Sequence, residues 1–247
     1  MEIFVADSYE AMSKQAADDV IQLMQSFNEP LICTASGHSP AGLYKEIVDR
    51  VNKNQLNISD WYFVGLDEWV GLNGSNEGSC RYHLDRELFR ALNVDESRIC
   101  FFDGRAENLQ TECENIDEFI QQHKNIDVAI LGVGMNGHVG MNEPGTSAAL
   151  RSHVTDLDPI TQQGGQKYFT KQQPLSKGIT LGLTTIVEAR HIILLANGLH
   201  KAEIIKRITE EEISEQLPAT LLRNHPGLRV YLDTEAAQML QSDKSNS

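Results

Sequence analysis

Apolar positions along this chain fall into two alternating patterns, short continuous runs and helically spaced stripes. Over residues 8–27, Met12, Ala16, Val20, Leu23 and Met24 recur at the spacing of a helix buried on one side. Residues 30–34 form a short apolar run bounded by Ala35-Ser36-Gly37, which reads as a strand. Ser39-Pro40 then offers an N-cap followed by proline at the first helical position, predicting a helix from there to about Asn52. The same alternation predicts strands at 61–66 and 126–131 and helices at 79–92 and 106–123. Further along it predicts strands at 177–183, 191–196 and 228–232, with helices at 199–208 and 234–240. The polar residues 241–247 predict a frayed end.

Strands alternate with helices over the whole length, and their apolar content fits strands buried on both faces. That combination predicts the α/β class: a doubly wound, mainly parallel, Rossmann-like sheet with helices on both faces. No repeat, low-complexity block or linker divides the chain, so residues 1–247 are expected to form a single domain. The part after Pro144 leaves room for a small antiparallel element. In such a sheet ligands sit outside the carboxyl ends of the strands, which directs attention to the loops leaving the apolar runs.

Composition narrows the function. With 40% hydrophobic and 23% charged residues, the chain is an ordinary globular one. It lacks the run of about 18 apolar residues that a membrane span needs. Its acidic start is unlike a secretory signal, so a cytoplasmic protein is expected. A net charge of −14 argues against nucleic acid or an anionic membrane as partner. A small anion remains possible, because a few backbone amides and one or two cations suffice to hold a phosphate. Cys33, Cys80, Cys100 and Cys113 show no metal-ligand spacing and read as reduced thiols, Cys33 and Cys100 within apolar runs.

Three strand-end loops carry candidate chemistry. In the first, Thr34-Ala-Ser-Gly-His-Ser-Pro40, small residues and a following helix N-terminus suit an anion, with Ser36, Gly37 and Ser39 as contacts. It has no Gly-Lys-Ser/Thr ending and is not a Walker loop; it would look much the same if Ser39 merely capped a helix. In the second, Asp67 and Glu68 directly follow an apolar strand, and a partly desolvated carboxylate there is a reasonable general base or simply a cap. The third, residues 132–144, sets Asn136, His138, Asn142 and Glu143 among glycines at 132, 134, 137 and 140. His138 can exchange a proton near neutral pH, and Glu143 can orient it. No second histidine stands at ligand spacing, which speaks against a metal. Gly132, Gly134 and Gly137 match a GxGxxG spacing, but His138 and Glu143 would be odd in a dinucleotide turn.

At these loops the chain resembles the glucosamine-6-phosphate deaminase (isomerase) family, which shares its fold with 6-phosphogluconolactonases. The resemblance runs from about Leu31 to Ala237. It is carried by Leu66-Asp-Glu-Trp-Val-Gly71 and Gly137-His-Val-Gly-Met-Asn-Glu-Pro144, and by Lys177-Gly-Ile-Thr-Leu-Gly-Leu183, Gly198-Leu-His-Lys-Ala202 and His225-Pro226. Asn142-Glu143-Pro144 is similar to the deaminase branch rather than the lactonase branch. The resemblance implies conversion of glucosamine 6-phosphate and water to fructose 6-phosphate and ammonia. It implies ring opening by His138, with Glu143 as its partner and Asn136 in the same relay, then removal of the C2 proton by Asp67. It places the substrate phosphate on Ser36, Gly37, Ser39, Lys167 and Lys201, with His38 an unusual inclusion and Lys167 where many members carry arginine. Asn136 stands where some members carry aspartate, so hydrogen bonding is the role expected of it. Neither metal nor cofactor is implied. The expected partner is a phosphorylated amino sugar, and the protein is expected to be a monomer or a homo-oligomer. Three other readings stay open: galactosamine 6-phosphate as substrate, lactone hydrolysis, and a regulator that only binds a sugar phosphate. Hydrolysis needs no C2 base, and binding alone needs no pair of proton-transfer groups.

Overall fold

The computed structural model describes residues 1–240, and the frayed end expected at 241–247 lies outside them. The first element, β1 (Glu2–Ala6), escaped the apolar pattern because it is short and largely exposed. α1 (Tyr9–Met24) follows, with the Ser8 hydroxyl accepting the Ala11 amide as a cap. Next come β2 (Leu31–Thr34), α2 (His38–Asn52), β3 (Tyr62–Gly65) and β4 (Asp67–Trp69). α3 (Cys80–Leu84), β5 (Ile99–Cys100), α4 (Leu109–Gln122) and β6 (Val128–Leu131) lead into the glycine-rich loop. Beyond that loop lie β7 (His153–Asp156), α5 (Pro159–Gly165), β8 (Lys177–Thr180), α6 (Leu183–Val187) and β9 (His191–Ala196). α7 (Ala202–Glu210) and β10 (Leu228–Asp233) complete the series.

Seven strands form a parallel sheet in the order β1-β10-β9-β6-β2-β3-β5. Its central strands β2, β6 and β9 are buried on both faces, as the apolar runs predicted. Val128 and Ile130 of β6 join the core beneath α1 and α2, while Ala129 and Leu131 face the core beneath α4, α6 and α7. Val128, Ile130 and Leu131 each contribute about 1.5–3 kcal/mol by leaving water. The helices therefore cover both faces.

Several local expectations need correction. The helix expected at 79–92 is only α3, which Ser79 caps. It runs into a π-helical turn, Asp85–Phe89, where the Arg90 amide reaches back to the Asp85 carbonyl. The strand expected at 177–183 shortens to β8. It leaves the main sheet for a second, antiparallel one of order β4-β8-β7, so the small element after Pro144 does exist. The helix expected at 199–208 begins with one 3-10 turn, Leu199–Lys201. Residues 234–240 make only turns, because their amide bonds mix four- and three-residue spacings and never build a continuous ladder. α2 begins at His38 with Gly37 as its cap residue, not at Ser39. All four cysteines are free thiols, and no helix among the described residues is long and apolar enough to cross a membrane.

A single residue joins the two sheets. The Leu66 amide still bonds the Thr34 carbonyl of β2, while its own carbonyl already accepts the Leu181 amide just past β8. Asp67 is the first residue beyond this joint.

Candidate active site

From β2 the sheet grows through β3 to β5, and from β6 it grows the other way through β9 and β10 to β1. At this switch point a cavity of about 570 Å³ opens outside the carboxyl ends of the strands. The loops leaving β2, β3, β6 and β9 all line it. α5 and the 3-10 turn after it, Gln166–Tyr168, cover it from the far side. Asp67, His138, Ser36, Gly37, Ser39, Lys167 and Lys201 all border this one cavity. Asn136 and Glu143 do not border it; they stand behind His138.

One end of the cavity gathers groups able to move a proton. The loop after β6 turns sharply at Gly137, where φ is +84°, and comes so close to the His138 ring that a Cβ on Gly134 would lie 2.2 Å from it. Asn142 is fully buried and donates to the carbonyls of Val139 and Leu181, pinning the loop to the chain beyond β8. Behind the imidazole, Glu143 Oε2 lies 3.5 Å from His138 Nδ1 and accepts the Asn136 amide at 2.8 Å. Asn136 also accepts the His138 backbone amide through Oδ1 at 3.2 Å, so it holds loop and carboxylate together. Burial works against the Glu143 charge, but His138, Thr161 and Asn136 outweigh it and hold the carboxyl below its usual range.

Thr161 did not stand out in the sequence. It sits on α5, and its hydroxyl lies 3.0 Å from His138 Nδ1, closer than Glu143.

Asp67 faces His138 across the cavity. Burial pushes its carboxyl up to about 6, against the smaller effects of the Cys80 thiol and His138. The neighbouring Glu68 points the other way, into the core. Its two oxygens accept the amides of Trp69, Cys80 and Arg81 at 2.8–3.0 Å. The tandem acids thus divide the work: Glu68 fastens the start of α3, and Asp67 is left free in the cavity.

The other end gathers groups able to hold an anion. Gly37 has φ +127°, and α2 starts without a side-chain cap, so its first amides remain available. Ser39 does not cap; its hydroxyl donates to Asn197 Oδ1 at 2.7 Å. Lys201 reaches under the loop to the Val133 carbonyl at 2.7 Å. Burial, and then the neighbouring Lys167, bring its ammonium down to about 8. His200 and His38 complete this basic corner. Asn197 and His200 leave β9 as a fourth strand-end loop, which the rule used for the other three would have found. Among the described residues no three histidine, cysteine or acidic side chains gather as a metal site.

Comparison with known proteins follows the same lines. Residues 6–231 match the family model described as glucosamine-6-phosphate isomerases/6-phosphogluconolactonase. A glucosamine-6-phosphate deaminase of Clostridium perfringens (strain 13 / Type A) is 36% identical over 242 residues, covering 98% of this chain and 100% of that protein. Another, of Alkaliphilus oremlandii (strain OhILAs), is 37% identical over 241 residues, covering 97% and 100%. The solved structure of a monomeric glucosamine-6-phosphate deaminase superimposes with a TM-score of 0.93 at 31% identity, covering 97% of this chain and 100% of that one. A 6-phosphogluconolactonase from Trypanosoma brucei shares the fold, with a TM-score of 0.76 at 19% identity over 97% of this chain and 98% of its own.

Proposed function

This chain belongs to the glucosamine-6-phosphate isomerase/6-phosphogluconolactonase family, and from that premise we propose that it is a glucosamine-6-phosphate deaminase, converting glucosamine 6-phosphate and water to fructose 6-phosphate and ammonia. The observation that carries this reading is the pairing of Asp67 with His138 in one cavity whose opposite end is basic. His138 takes the proton of the anomeric hydroxyl and delivers it to the ring oxygen, opening the sugar. Glu143, fixed by Asn136, stabilises the imidazolium formed on the way. Asp67 then removes the proton at C2, next to the C1 carbonyl, giving an enolamine. Protonation at C1 makes a ketimine, which takes up water at C2 and releases ammonia. Ser36 offers the phosphate a hydroxyl, Gly37 and Ser39 offer helix-start amides, and Lys167 and Lys201 offer charge. Lys167 supplies that charge without an arginine's fork, so a single-point contact is assigned to it. We place the enzyme in the cytoplasm, as a single domain over residues 1–247, on the support of four free thiols.

The direct test supplies purified protein with glucosamine 6-phosphate, galactosamine 6-phosphate and 6-phosphogluconolactone, and measures ammonia, ketose phosphate and acid. Ammonia with fructose 6-phosphate from the first is the expected result; ammonia from neither amino sugar overturns the reading.

Activity should follow a bell in pH. Asp67 must be ionised to act as a base, so kcat/KM rises as pH passes about 6. Lys201 must be charged to attract the phosphate, so kcat/KM falls as pH passes about 8. Initial rates across that window give both limbs, and a profile flat through the acid limb would remove Asp67 as the base.

Thr161→Val keeps the shape of the side chain and removes the hydroxyl beside His138 Nδ1. Losing one hydrogen bond to a group that becomes charged should lower kcat about tenfold with little change in KM. Steady-state rates decide this, and an unchanged kcat would leave Glu143 as the only working partner of His138.

A further inference from the structure

The chemistry above uses the backbone of residues 36–39 and the Ser36 hydroxyl, and leaves the imidazole of His38 without a task. That ring is held on two sides. It stacks on Tyr9, with centroids 5.0 Å apart and planes 26° from parallel. The Tyr9 hydroxyl is fixed in turn, donating to the His38 carbonyl at 2.6 Å and accepting the Gly42 amide at 2.8 Å. On the other side, His38 Nδ1 lies 3.3 Å from Asn197 Nδ2 and 3.4 Å from Asn197 Oδ1. The Ser39 hydroxyl already engages that oxygen at 2.7 Å. Asn197 is itself buried at the end of β9, and the next amide, Gly198, is held by both oxygens of Asp233.

Because the Asn197 oxygen already accepts from Ser39, we assign its amino group as the donor to His38 Nδ1. The neutral ring then carries its proton on Nε2. No hydrogen bond among the described residues uses that nitrogen, and His38 borders the cavity beside Ser36 and Gly37. The charged and titratable groups facing it are His200 from the loop after β9, with Lys167 and Lys201 beside it, and Glu87 from the π-helical turn.

We propose that His38 is a phosphate-binding residue in its own right, a neutral Nε2–H donor aimed by Asn197 and Tyr9 at one phosphate oxygen of the substrate. It rests on the reading of this corner as the phosphate end of the cavity. A neutral donor adds a directional bond without placing another cation against Lys167 and Lys201, which already repel each other. It also supplies geometry that the single-point ammonium of Lys167 lacks.

Two variants separate donor from packing. His38→Phe keeps an aromatic ring on Tyr9 but has no N–H; His38→Gln carries an amide N–H at about the reach of Nε2. Full-length proteins are titrated calorimetrically with inorganic phosphate, and KM and kcat are measured with glucosamine 6-phosphate. His38→Phe should weaken phosphate binding and raise KM, each about tenfold, with kcat changed less than about twofold. His38→Gln should recover most of that loss. Phosphate binding by His38→Phe within about twofold of wild type overturns the proposal, as does an equal loss in both variants. If wild type releases no ammonia yet His38→Phe still loses phosphate affinity and His38→Gln regains it, the deaminase reading fails and the role of His38 stands.

Discussion

An Asp67→Asn enzyme should bind glucosamine 6-phosphate about as well as the wild type and turn it over about a thousandfold more slowly. The amide has the carboxylate's shape but takes no proton, and the C2 carbon acid offers no easier route. Glu68 cannot step in, because its oxygens are occupied by three backbone amides on the far side of β4. In deuterated water the wild type should carry solvent deuterium into the product through the enolamine, and the variant should carry almost none. A second readout is independent of turnover. The Asp67 carboxyl is raised on folding, from 3.8 to about 6, so its contribution to stability is intact below its unfolded value and is lost as pH rises through about 6. Asparagine carries no such cost. The variant should therefore melt at a higher temperature than wild type at about pH 8, and the advantage should vanish near pH 4. Turnover close to wild type would assign the C2 base elsewhere; a pH-independent difference in melting would mean that burial does not raise this carboxyl.

His138→Gln should lower kcat by about 10²–10⁴, the usual worth of a positioned acid–base group. The loss should fall on ring opening. Glutamine can still meet Thr161 and Glu143, so the loop should keep its form, but it cannot shuttle a proton between the anomeric hydroxyl and the ring oxygen. What activity remains should be that of sugar which opens unaided in water. An open-chain analogue, the phosphate ester of the amino-sugar alcohol, should bind the variant within about threefold of wild type, because it needs no ring opening. Loss of that binding as well would make His138 a part of the pocket's shape and not a proton shuttle.

Both variants lie at strand ends that the sequence made visible, Asp67 just beyond β3 and His138 in the loop after β6, and the reason is physical. β2, β6 and β9 are buried on both faces, so they stand out as unbroken apolar runs, and the loops after β2 and β6 follow directly from them. The glycines around His138 were equally visible, since Gly137 and Gly134 answer to a turn and to a close ring. Direction was not visible. Nothing in residues 177–183 shows that β8 runs antiparallel in another sheet, because a buried strand reads the same in either sheet. β1 and β7 were missed because few of their side chains are buried. Thr161 sits in ordinary local sequence, and Asn197 is marked only by following the apolar run of β9. Their importance comes from distant neighbours, His138 for one and Ser39 with His38 for the other, and only the folded chain brings those together.

β1 has one strand beside it, β10, and the pairing runs from Glu2 with Arg229 to Ala6 with Asp233. During synthesis β1 therefore waits for β10, which lies almost the whole sequence away. At about 5–20 residues per second, that wait is on the order of ten seconds or more. Until β10 arrives, β9 is also an open edge with an apolar face, the kind of surface on which nascent chains stick to one another. Loss of either strand exposes its neighbour, since removing β10 strands β1 and bares β9, and removing β1 bares β10. Chaperone dependence and losses to aggregation in cells should therefore track this edge of the protein.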